Sequence, residues 1–165
     1  MIILEAKTPI LLFRYKSYKH HDFIYSHNSL CQQNGYVWMM KAGIKTRVEK
    51  IKKVMNYGGW MILRSPKGEG GTSYLAHFTE YSDSIPPDGI YPSYYKDIFA
   101  EENDEVFSMH TEYQWFRLTK IHPLTEEQMS VIVLSMSQAP IDNVIKSTRT
   151  AVMFVENRTQ IIIEE

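Results

Sequence analysis

The chain has 165 residues, 44% hydrophobic and 13% aromatic, with 18 Lys and Arg against 19 Asp and Glu. That length suits one domain with a sizeable core, and a net charge of −1 excludes attraction to a polyanion through overall charge. Cys31 is the only cysteine, which excludes an intrachain disulfide and a cysteine-based zinc cluster and sets the expectation of a reducing, cytoplasmic setting.

Met1 to Leu4 is apolar, but Glu5 and Lys7 interrupt it at once, so it does not read as a signal peptide. No apolar run approaches the ~20 residues of a membrane span, and no membrane partner is expected. Residues 2–6 and 10–15 predict strands around Pro9, a bend or edge position. Residues 16–35 are polar and read as irregular; they carry His20, His21, Asp22 and His27 and end in Gln33-Asn34-Gly35. Residues 36–41 (YVWMMK) predict a strand. Val48, Ile51, Val54 and Met55 then recur at helical spacing, with lysines on the opposite face and Asn56-Tyr57-Gly58-Gly59 as the stop.

Residues 60–64 and 74–81 predict strands joined by SPKGEGGTS, a hairpin loop whose flexibility would let it close over a ligand. Residues 82–93, with two prolines and Asp88-Gly89, form a turn-rich connection, and 94–99 a short helical turn. Residues 112–122 predict a strand, Thr125 and Gln128 a capping box, 140–146 a short helix, and the last sixteen residues two strands around Asn157-Arg158. Residues 130–134 fit either the helix before them or a strand. Six to eight strands and two or three short helices make an α+β domain over residues 1–165. Its sheet is expected to be mostly antiparallel and barrel-like.

Charge is segregated along this chain. Lys41, Lys45, Arg47, Lys50, Lys52 and Lys53 crowd one span, opposed only by Glu49, while 97–105 holds Asp97, Glu101, Glu102, Asp104 and Glu105. Around the basic span stand Trp38, Trp60, Tyr74, Phe78 and Tyr81. Cations interleaved with flat rings are what a phosphate backbone with an unstacked base requires. Lys45, Arg47 and Lys50 are the candidate phosphate contacts, at or near a helix start that also offers free N–H groups. Trp38 and Trp60 are the stacking candidates, with Arg64 and Tyr81 completing the set and Trp115, Tyr74 and Tyr113 as further rings. Side chains alternate along a strand, so Trp115 and Phe116 must face opposite ways.

Over residues 36–122 the order of elements resembles the PUA-like superfamily, and within it the EVE, YTH and ASCH branches. The resemblance rests on EKIKKVMNYGGWMILRSP (49–66), SYLAHFTEY (73–81) and QWFRLTKIHPL (114–124). It implies a PUA-like core over about 36–165 with an N-terminal extension. It also implies RNA, DNA or a nucleoside as partner, a modified or flipped base held between aromatic rings, and no cofactor. Ala42-Gly43-Ile44-Lys45-Thr46 further resembles the Gly-x-Lys-Thr of ASCH domains, which implies an alternative: a small amidohydrolase acting on a modified nucleoside, with Lys45 and Glu80 in its site. Those members carry Thr three positions after the lysine, where this chain has Val48.

Other chemistry is weakly signalled. His20, His21, Asp22, His27 and Cys31 lack the regular spacing of a zinc site, and no metal is expected. Gly68 to Gly71 match no phosphate-loop pattern. A third reading is a protein-interaction module built on exposed aromatics, and oligomeric state stays open.

Overall fold

The computed structural model describes residues 1–65, 71–102 and 112–165. The expected hairpin-loop residues 66–70, and Asp104, Glu105 and His110, lie outside the described residues. In chain order the elements are β1 (Ile2–Leu4), β2 (Pro9–Arg14), α1 (Phe23–Asn34), β3 (Val37–Gly43), α2 (Val48–Asn56), β4 (Trp60–Arg64) and β5 (Ser73–Ser82). They continue with α3 (Tyr95–Glu102), β6 (Glu112–Leu124), α4 (Glu126–Met129), β7 (Ile132–Leu134), α5 (Ile141–Ser147), β8 (Val152–Asn157) and β9 (Ile161–Ile163).

The α+β expectation holds, and the sheet is mostly antiparallel. Seven strands run in the order β3-β6-β5-β4-β2-β8-β7, with only β2 and β4 parallel. The sheet does not close into a barrel. Its edge strand β3 is covered instead by the 88–95 segment: Trp38 N–H donates to the Ile90 carbonyl at 2.8 Å and Met40 N–H to the Tyr95 hydroxyl at 3.2 Å. Edge N–H groups satisfied by a crossing segment no longer template a further strand. The other edge strand, β7, bridges to Pro140. β1 and β9 form a separate antiparallel ribbon. Residues 9–14, placed by the sequence reading in an N-terminal extension, supply β2, an interior strand hydrogen-bonded to β4 and β8.

One face of the sheet gathers Phe13, Met39, Met61, Phe78 and Phe116 from five strands into a single buried cluster with Ile51 and Val54 of α2. Burying side chains of that size stabilises by about 1.5–3 kcal/mol each. α2 thus has the amphipathic form its spacing predicts, with Lys50, Lys52 and Lys53 exposed. Its end is fixed by Gly59, at φ 72°, where a Cβ would stand 2.2 Å from the Phe78 carbonyl oxygen. Trp115 and Phe116 do face opposite ways, into different clusters.

Residues 23–34 are a helix, against the irregular reading of 16–35. Asp22 caps it, accepting from Tyr25 N–H at 3.0 Å, and Gly35 ends it at φ 84°. Phe23, His27 and Cys31 recur every four residues and are all buried. His27, at the centre of the three, is not counted as apolar, which broke the stripe. Five helices are described where two or three were expected.

Candidate functional site

The sequence-based candidates do not converge on one pocket. Trp38 is 6% exposed, packs with Met40, Tyr94, Tyr95 and Trp115, and donates its indole N–H to Asp88 at 3.2 Å. Trp60 lies in a different cluster, under the β1–β9 ribbon, its ring tilted against His77 at 4.9 Å. Arg64 donates to the Ser73 hydroxyl at 3.1 Å. Tyr81 donates to Asp83 and accepts from the Gln114 amide at 3.0 Å. Lys45 pairs with Asp83 at 3.4 Å, while Glu80 is exposed and stands opposite Arg117 in the sheet register. Arg47 is exposed at the start of α2, and the Lys50 ammonium sits 4.8 Å from the centre of the Phe154 ring. Lys41, counted with the surface cations, is 3% exposed and donates to the Ile44 carbonyl and to the Gln114 amide oxygen.

What the fold assembles lies elsewhere. Between the ends of β2 and β3, strands separated in the sheet by β6, β5 and β4, opens a cleft of about 420 Å³. That size is within the usual ~300–1,000 Å³ of small-ligand sites. Tyr94, Tyr95 and Ile98 supply one wall, Phe13 and Met40 the floor strands' share, and Gly43 and Ala42 the lip of β3. Arg14 and Lys16 bring positive charge to the same cleft, Lys16 exposed and Arg14 tethered to the Thr148 carbonyl at 2.5 Å. Burial pushes the Tyr94 hydroxyl well above the usual tyrosine range, helped by the charge of Asp22, and pushes that of Tyr95 up as well. Both rings are therefore neutral at physiological pH. The result is a neutral aromatic wall beside two cations.

A second, polar cleft of about 350 Å³ adjoins the first, and Ser17 and Phe23 line both. The connecting loop turns at Lys19, whose φ of 53° is uncommon for a residue other than glycine. Across the join, the His21 ring stacks on Tyr94 at 4.4 Å with 17° between planes. His27 is fully buried and burial lowers its pKa to about 4; Cys31 is buried and its thiol pushed up. Neither resembles a reactive group. No group of three or more His, Cys, Asp or Glu among the described residues is placed to hold a metal ion. No described helix is long and apolar enough to cross a membrane.

The chain was compared with models of protein families, with curated proteins and with solved structures. None of them matches.

The sequence reading missed Arg14, Lys16, Tyr94 and Tyr95 as site residues, although a signal was present. Arg14-Tyr15-Lys16-Ser17-Tyr18-Lys19 has the same interleaving of cations and rings that drew attention to the 36–81 stretch. It lies in the segment without a counterpart in the PUA-like pattern. Tyr94 and Tyr95 read only as part of a short helical turn.

Proposed function

We propose that this chain is a nucleic-acid-binding domain that takes one unstacked base into the aromatic cleft between β2, β3 and α3. The observation that carries this reading is the meeting, in one cleft of about 420 Å³, of neutral tyrosine rings with Arg14 and Lys16. An aromatic face contributes about 1–3 kcal/mol per stacked base without demanding a particular one. The cations hold the flanking phosphates, with affinity that falls as salt rises. Lys45 and Arg47 extend the basic surface, because the loop that carries them leaves the cleft at Gly43. The resemblance of residues 36–122 to PUA-like readers of modified bases supports the same ligand class.

Tryptophan fluorescence tests it directly. Trp38 and Trp115 pack against Tyr94 and Tyr95, so a ligand in the cleft reports through them. Titration with short single-stranded and duplex RNA and DNA, at two salt concentrations, is expected to give saturable quenching weakened by salt. No response at low salt to any oligonucleotide would sink the reading. Binding of a protein rather than a nucleic acid would persist at high salt, because apolar burial is not screened.

A further inference from the structure

We propose that the polar cleft beside the aromatic one is an oxyanion subsite, which receives the sugar-linked phosphate of the nucleotide whose base fills the aromatic one. This rests on the base-cleft reading above. The observation behind it is Ser65, at the end of β4. The residue is 5% exposed and lines the polar cleft, and its hydroxyl has no hydrogen-bond partner among the described residues. A buried hydroxyl without a partner is costly, and such groups in folded proteins call for a specific explanation. Turned into the cleft by rotation about χ1, it would donate to a ligand oxygen there.

Beside Ser65 the lining holds several further donors. Lys19 contributes an ammonium, His20 and His21 imidazoles, and Ser17 and Thr72 hydroxyls. These are donors suited to phosphate oxygens, and hydrogen bonds to an ionised acceptor are about twice as strong as neutral ones. The one carboxylate among the described lining residues, Asp22, accepts from Tyr25 N–H at 3.0 Å and sits at the positive end of the α1 dipole, which offsets its charge.

Geometry joins the two clefts into one elongated site. They share Ser17 and Phe23, and His21 of the polar cleft stacks on Tyr94 of the aromatic one. A ligand filling both has a flat ring at one end and an oxyanion at the other. That is a nucleotide, free or within a strand.

The test has two independent arms on the full chain. In the first, the four ribonucleosides, their 5′-monophosphates and their 3′-monophosphates are titrated by tryptophan fluorescence. At least one monophosphate series is expected to bind about tenfold tighter than its nucleoside, the gain of one charge-assisted contact. The variant Ser65→Ala with Lys19→Ala removes that gain and leaves nucleoside affinity as it was. In the second arm, the 31P resonance of inorganic phosphate is followed with wild-type and variant protein. Broadening with the wild type alone supports the oxyanion site even where no nucleoside binds, an outcome that would overturn the base cleft instead. Equal affinity for nucleosides and monophosphates, a gain that survives in the variant, or an absence of both nucleotide binding and phosphate broadening each overturns the subsite. Unchanged thermal melting of the variant establishes that it is folded.

Discussion

Tyr95 donates its hydroxyl hydrogen to Nε2 of His27, and this buried bond ties α3 to α1 at the wall of the aromatic cleft. The direction follows from the other ring nitrogen. Nδ1 lies 2.7 Å from the Phe23 carbonyl, which can only accept, so Nδ1 carries the proton and Nε2 receives one. The same hydroxyl accepts Met40 N–H from the edge of β3. One phenol therefore fastens two helices and a strand around the cleft mouth.

Acid should loosen that fastening. Burial lowers the folded-state pKa of His27 to about 4 from an ordinary 6.5. Between those values the unfolded chain binds the proton more readily than the folded one, so stability is full above about pH 6.5 and drains as pH falls from there to about 4. The shift corresponds to about 3 kcal/mol in this one group. Urea melts from pH 7 to pH 4 should show the decline, and His27→Gln should flatten it. A wild-type profile level across that range would refute the assignment.

Tyr95→Phe keeps the ring and deletes the fastening. It leaves His27 Nε2 and Met40 N–H buried without partners, each costing roughly 1–3 kcal/mol. A drop in stability of about 3 kcal/mol is expected by chemical denaturation. Loss below about 1 kcal/mol would mean that solvent replaces the hydroxyl.

The cleft itself is addressed by three substitutions. Tyr94→Ala removes the ring that stacks with His21 and Tyr18 in the cleft wall, and should weaken oligonucleotide binding in the fluorescence titration. Lys16→Glu, at an exposed position, should weaken binding uniformly across sequences and lower the dependence on salt. Ala42→Trp, also exposed, places a large ring at the lip and should block binding while the melting temperature stays put. Full affinity in that blocked variant would place the ligand elsewhere.

Ser65→Ala is expected to leave stability unchanged or raise it. The hydroxyl it removes is buried and without a partner among the described residues, and loses more in desolvation than it recovers. Thermal melting decides this, and destabilisation beyond about 1 kcal/mol would reveal a partner for the hydroxyl in solution.

Gly59→Ala tests the joint between α2 and β4. Its φ of 72° and the 2.2 Å approach to the Phe78 carbonyl oxygen leave no room for a Cβ, and the obstacle is backbone. A loss of about 3 kcal/mol or more is expected by denaturation. A near-neutral variant would show that β4 and β5 can part at this point.

Legibility differed sharply between elements. α2 was readable because Ile51 and Val54 are apolar, helically spaced and closed by a glycine pair; α1 was not, because its buried stripe runs through the polar His27. The capping box at Thr125 and Gln128 formed as its residues predict. The basic span was legible as charge but not as surface, since Lys41 points inward to the Gln114 amide while Lys45 and Arg47 stay outside.

By itself the sequence determined the local terms: the strands, the amphipathic helix, the caps, the turn glycines, and the rule that Trp115 and Phe116 part to opposite faces. Those depend on residues a few positions apart, where periodicity and propensity act. Only the tertiary structure decided which strands are neighbours, that the sheet stays open, and that Arg14, Lys16, Met40, Tyr94 and Tyr95 share a cleft. Such meetings join residues far apart in the chain, as Pro9 of β2 meets Glu156 of β8, and no local pattern encodes them. They follow from how the two faces of the sheet are closed, with α1 and α2 on the face of Phe116 and α3 on the face of Trp115.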